Sequence, residues 1–255
     1  SMTLQIGRAI GNGVTKTLSK AGLTFVLSFG LAQLAFLAAI NTLFEAVFAT
    51  LDLPAGATET STSLPLALPV STTVAGVLTL VTLLVIQVIT VVLIRVMAAD
   101  RQVITRDTYT RRMIWVVLNS IVAGFVVGLL TTIGFVLLVI PGLFVTVSLL
   151  FTTVYVADQD ENAISAMGDS WGLASGNRWR LFGLYLVVIA GFFAVSLPVG
   201  FVLPTGSTLS LAVSTVLNTV MIVFLMAVIT DAYRQLRGDD GPERGPDPSP
   251  DAAGA

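Results

Sequence analysis

The sequence contains no cysteine and no histidine in its 255 residues. Without thiols there is no disulfide framework, no thiolate nucleophile and no thiolate metal site. Without imidazole, the commonest general base and the commonest transition-metal ligand are missing, and with them the nucleophile–base pairs of most hydrolases. Paired intramembrane aspartates, a phosphate-binding loop and a dinucleotide fingerprint are absent too, and Gly7, Gly11 and Gly13 follow no strand that would give them a nucleotide-binding meaning. The expectation is a chain that is not an enzyme, with no catalytic residues, no cofactor and no metal.

Charge is the second scarcity. Only 11% of residues are charged and 55% are hydrophobic, whereas an ordinary soluble domain is about 25% charged. So little polar surface makes a bilayer the expected solvent, and the formal charge of −2 predicts no nucleic-acid partner. Arginine supplies nearly all the positive charge, and the tail is acidic, a bias compatible with a salt-adapted organism.

What the sequence does have is long apolar runs. A hydrocarbon core of about 30 Å needs roughly 20 helical residues to cross it. Six runs meet that length or approach it, at about 23 to 50, 71 to 98, 113 to 139, 142 to 157, 180 to 203 and 208 to 232. In lipid the backbone must satisfy itself, so these are read as helices. The predicted fold is all-α: a polytopic bundle of six transmembrane helices with short interfacial amphipathic helices. Residues 1 to 22 read as an amphipathic lead-in, 23 to 237 as the membrane domain, and 238 to 255, rich in Gly, Pro and Asp, as a disordered tail. The apolar run after Gly22 is too long for a signal-peptide core, which predicts uncleaved insertion.

Positive charge tests the span count. Every Lys and Arg falls at the N-terminus (Arg8, Lys16, Lys20), between spans two and three (Arg95 to Arg112), between spans four and five (Arg178, Arg180) or after span six (Arg234, Arg237, Arg244). Six spans place all of these on one side. By the positive-inside rule that side, with both termini, is cytoplasmic, and a multi-pass plasma-membrane protein is expected. The basic stretch from Arg95 to Arg112 reads as a topology determinant that also attracts anionic headgroups. On the other side PAGATETSTSLPLALP reads as an extended loop, since its prolines prevent a continuous helix.

Inside the spans, small and polar residues are the candidates for packing and function. Gly124 and Gly128 in span three form a small-xxx-small pair suited to close helix packing, within the chain or in a dimer. Pro141 and Gly142 mark a turn between spans three and four, either at the far interface or within the leaflet. Pro198 is expected to kink or end span five. Gln33, Asn41 and Glu45 share one face of span one; Gln87, Asn119 and Asn218 complete the intramembrane polar set.

Between spans four and five the apolar pattern breaks at SAMGDSWGLASGNRWRLFGL. Ile164, Met167, Trp171 and Ala174 recur at helical spacing, Asp160 or Asn162 can cap the start, and Gly176 suits a left-handed stop. An interfacial helix is expected over 161 to 176, with Trp171 and Trp179 among headgroups and Arg178 and Arg180 anchoring the approach to span five. A similar lead-in starts at Ala9 and a shorter one precedes span three, a pattern of three hairpins each introduced by a short helix.

The run Val139-Ile140-Pro141-Gly142-Leu143-Phe144, followed by Ala163, Ala166, Ser170-Trp171, Gly176-Asn177 and Trp179-Arg180-Leu181-Phe182-Gly183-Leu184, resembles the membrane domain found beside glycerophosphodiester phosphodiesterases and in many bacterial and archaeal membrane proteins. Tyr233-Arg234 is similar to that family's closing pattern. The resemblance, concentrated over residues 135 to 185, implies a six-helix membrane domain and no phosphodiesterase activity, which in the family belongs to a separate barrel. The expected role is a non-catalytic module that binds membrane lipids or other membrane proteins through Trp171, Trp179, Arg178 and Arg180. The alternative is a small-solute or lipid transporter.

Overall fold

The structure, a computed structural model, describes residues 4–50, 66–100, 104–202 and 208–238. Within them lie ten helices and no strand: α1 (Ile6–Thr17), α2 (Lys20–Phe48), α3 (Thr72–Ala98), α4 (Arg106–Thr110), α5 (Met113–Leu137), α6 (Val139–Ser148), α7 (Thr152–Gln159), α8 (Ala163–Ala174), α9 (Arg178–Val202) and α10 (Thr208–Arg237). Six stretches are long and apolar enough to cross a membrane: α2, α3, α5, Ile140–Gln159, α9 and Leu209–Arg237. The expected tail beyond Gly238 and residues 54–65 of the expected loop lie outside the described residues.

Local chemistry sets the ends of these helices. Ser19 caps α2 and Ser71 caps α3, their hydroxyls accepting from the Gly22 and Val74 amides at 3.1 and 3.4 Å. Ser19 also lets α1 turn directly into α2, so tightly that a Cβ on Gly22 would fall 2.2 Å from the Lys16 carbonyl oxygen. Between α5 and α6 the turn is one extended residue, Leu138, and a Cβ on Gly134 would sit 2.8 Å from the Gly142 Cα. Pro141 lies in the first turn of α6, where its missing amide proton costs nothing.

The bundle has an inner and an outer set. Val91 and Ile94 of α3, Val154, Val156 and Ala157 of α7, and Val228, Ile229, Ala232 and Tyr233 of α10 belong with Phe151 to one buried cluster, which Val116, Val117 and Ala123 of α5 and Leu181, Leu184 and Val188 of α9 join from outside. These inner helices are the second member of each hairpin; α2, α5 and α9 stand outside them. Short helices precede spans one, three and five: α4 packs on α3 and α8 on α7, each the inner helix of the preceding hairpin, and α1 packs on α10. The pattern closes into a ring because α1 docks on the last described helix. At its crossing point a Cβ on Gly13 would lie 2.4 Å from Val228, so only glycine permits the approach.

Several expectations need correction. Gly124 and Gly128 face outward, with no neighbour within 4 Å of where a Cβ would stand, so of their two expected uses, packing against another helix of the chain is not seen among the described residues; the close approach is made by Gly134 and Gly142, beside the turn. Pro198 does not end span five, because α9 continues to Val202. The fourth span, expected as one helix over 142 to 157, begins at Val139 and is interrupted at 149–151. Arg95, assigned to a basic loop, sits within α3 and is 4% exposed.

Candidate functional site

The interruption of span four exposes backbone groups that α6 and α7 cannot satisfy, and Ser170 of α8 satisfies two of them. Its hydroxyl donates to the Ser148 carbonyl at 3.0 Å and accepts from the Phe151 amide at 3.1 Å. Asn162 caps α8 by accepting from the Ser165 amide at 2.9 Å. Asn119, one of the intramembrane polar set, accepts from the Ala163 amide at 3.1 Å and ties α5 to the start of α8. Gly176 takes the left-handed conformation, φ +84°, that ends the segment.

These contacts set the orientation of α8. Ala163, Ala166, Ser170 and Ala174 face the protein, while Ile164 is 83% exposed and Trp171 is turned outward. Small residues are on the inner face because α8 must lie close to the broken span, and Ser170 is inside because a hydroxyl is required there.

Beside this helix is a cavity of about 540 Å³ lined by Ile140, Leu143, Phe144 and Val147 of α6 and by Gly176, Arg178, Trp179 and Phe182 at the start of α9. Phe144 and Trp171 meet edge to face with centroids 5.4 Å apart, and the Arg178 guanidinium carbon lies 4.5 Å from the first ring and 4.9 Å from the second. The Arg178 Nε is buried and makes no hydrogen bond. Trp179 is 86% exposed and packs edge to face on Phe182. The structure thus brings together Pro141-Gly142, whose turn positions α6, with Trp171, Arg178 and Trp179. Arg180 points elsewhere, its guanidinium 3.5 Å from the Leu4 carbonyl.

A second polar assembly went unread in the sequence. Arg95 donates from Nε to the Ala157 carbonyl at 2.7 Å, from one terminal nitrogen to the Thr108 carbonyl at 2.9 Å and from the other to Asp160 at 2.7 Å. Asp160, left-handed at φ +56°, also receives Arg111 at 3.0 Å. The Tyr233 hydroxyl donates to Asp158 at 3.1 Å, and Arg237 reaches both of them. On the next side Lys16 bridges Asp100 at 3.0 Å and the buried Asp231 at 3.9 Å, while Asn12 and Gln235 donate to Asp231 at 2.9 and 2.8 Å. Arg234 lies 3.2 Å from Asp100. Burial pushes the Asp100 carboxyl up, but Lys16 and Arg234 outweigh it and hold it below the ordinary range. Glu161 behaves oppositely: burial and the neighbouring Asp169 push it up to about 7. The signal that could have found the assembly is the recurrence of Asp at the same end of every inner helix, Asp100 after α3, Asp158 and Asp160 at α7 and Asp231 in α10, facing the basic residues gathered at that end.

Among the described residues no group of three acids is placed to hold a metal ion. The family described as Domain of unknown function (DUF7847) matches residues 4–236 of this chain. The chain belongs to the DUF7847 family. Its match runs from two residues before α1 through nearly all of α10, so the ring of lead-in helices lies wholly inside the family's extent. No curated protein and no solved structure matches the chain.

Proposed function

We propose that this DUF7847 protein is a non-catalytic, multi-pass protein of the plasma membrane that binds lipid through the site between α6, α8 and α9, with both termini cytoplasmic. The observation that carries this reading is the apolar cavity of about 540 Å³ lined by Arg178 and Trp179, with Trp171 against the Arg178 guanidinium. Clustering of the basic residues at one end supports the orientation. A non-catalytic role draws support from the missing Cys and His and from the mutual pairing of acids and bases at that end. Kinship with the membrane domains of glycerophosphodiester phosphodiesterases is proposed on the residues named for it, of which Ile140, Leu143, Phe144, Gly176, Trp179 and Phe182 line this cavity.

The test is tryptophan fluorescence in vesicles. Trp171 and Trp179 are expected to be quenched by brominated phospholipids, and a variant retaining only Trp115 is expected to lose most of the response to lipid composition. Complete quenching of both by aqueous iodide sinks the assignment. Tags at the two termini are expected to be reached only from the cytoplasmic side.

A second reading, a transporter, is favoured by one observation: a cavity of about 400 Å³ between α1, α9 and α10, lined by residues such as Ile10, Val188, Phe192 and Phe224. Solute uptake into proteoliposomes above that of empty vesicles supports it; equal leakage of a broad solute panel counts against it.

A further inference from the structure

Arg178 differs from the cations paired around it. Lys16, Arg95, Arg111, Arg234 and Arg237 each face a carboxylate within ion-pair distance. Arg178 pairs with no carboxylate among the described residues, and its buried Nε has no partner at all. Two aromatic faces hold the guanidinium in position without neutralising it, since a ring quadrupole attracts a cation but accepts no conventional hydrogen bond. A planar guanidinium fixed in this way is pre-organised for a phosphate or carboxylate oxygen. The site also lies at the first residue of α9, where the helix dipole is positive.

Directly beside this cation the cavity continues as an apolar slot walled by Ile140, Leu143, Val147 and Phe182. A soluble anion would use the arginine and leave the slot empty; a neutral lipid would use the slot and leave the arginine unpaired. From the juxtaposition of an aromatic-held, carboxylate-free Arg178 with this slot, we infer that the ligand is an anionic phospholipid, its phosphate on Arg178 and an acyl chain along α6. This inference rests on the lipid-binding reading above and adds selectivity for headgroup charge.

The experiment is native mass spectrometry of the full chain in mild detergent, supplemented with phosphatidylglycerol or phosphatidylcholine bearing the same dioleoyl chains. The wild type is expected to retain the anionic lipid about tenfold better, the scale of one charge-assisted contact. Arg178→Gln is expected to bring that ratio close to one while phosphatidylcholine adducts persist; Arg112→Gln, which removes an exposed charge, is expected to keep the ratio. Equal ratios in the two variants overturn the inference in favour of diffuse charge. Leu143→Trp, which fills the slot and spares the guanidinium, is expected to reduce retention of both lipids, and it carries the test if Arg178→Gln does not stay monodisperse. Unchanged retention in Leu143→Trp overturns the slot assignment. Glycerol 3-phosphate at millimolar concentration is expected not to displace the anionic lipid; displacement overturns the need for an acyl chain. A wild type that holds both lipids equally refutes only the charge selectivity, whereas one that holds neither refutes lipid binding itself.

Discussion

At the charged end, α3, α7 and α10 converge until Arg95, Asp158, Asp160 and Tyr233 form one connected set of contacts. Along the third hairpin, α9 stands away from α10 and a cavity of about 400 Å³ separates them. On α9 only Leu181, Leu184 and Val188 are buried, all in its first half. Ion pairs and hydrogen bonds hold the first region, where burial makes each partner dependent on the other. Apolar contact holds the second, and there lipid tails offer side chains nearly the same environment as a neighbouring helix does. Polar contacts therefore fix the geometry of the charged end, while the outer helices are free to be spaced by whatever lies between them.

The largest expected effect follows from breaking the centre of the polar set. Arg95→Met leaves Asp160 with one cation instead of two and strands the Ala157 and Thr108 carbonyls, for a loss of about 3–5 kcal/mol. Thermal unfolding in mild detergent measures it, and a loss below about 1 kcal/mol shows that the pair is solvated rather than buried. Ser170→Ala removes the two bonds that mend span four and is expected to cost about 1–3 kcal/mol. Hydrogen exchange at Phe151 is expected to rise at the same time.

Away from the charged end the effects shrink. Gln33 of α2 donates to Asn218 at 2.8 Å and accepts from Thr219 at 3.1 Å; Gln33→Leu is expected to cost only about 0.6 kcal/mol, the usual scale for such bonds in membrane helices. A pH scan probes the α7–α8 link. Glu161 is raised from 4.5 to about 7, so the folded state holds its proton more tightly than the unfolded one. Its contribution is fully present below the unfolded value and is lost as pH rises through about 7. Glu161→Gln is expected to flatten that part of the melting-temperature profile; an unchanged slope assigns it to another group. Smallest of all is Gly128→Ala on the outward face of α5, expected to change stability by less than about 0.5 kcal/mol. Gly134→Ala, by contrast, forces backbone apart and is expected to cost about 1–3 kcal/mol.

Much of the fold was legible in the sequence because lipid imposes a simple length rule. The six apolar stretches, the Asn162 cap and the left-handed Gly176 follow from hydropathy and local geometry alone. Arg95 was misread because a base near the end of an apolar run looks like a loop residue, and its acidic partner lies 65 positions further on. For the glycine pair in span three, spacing on one helix left open which face meets another, and the structure turns that face outward. Trp171, Trp179 and Arg178 were legible as a group, but the aromatic corner around the guanidinium was not, since Phe144 comes from a different span. Helix neighbourhood, and with it the ring of lead-in helices, depends on contacts between hairpins that leave no periodic trace.

The ring has a consequence for biosynthesis. Its closing contacts join Gln5 to Gln235 and Asn12 to Asp231, partners 230 and 219 positions apart. At about 5–20 residues per second, α1 therefore waits about ten seconds or more after its own synthesis for the helix on which it rests. During that interval the face that α10 will cover has to find another surface.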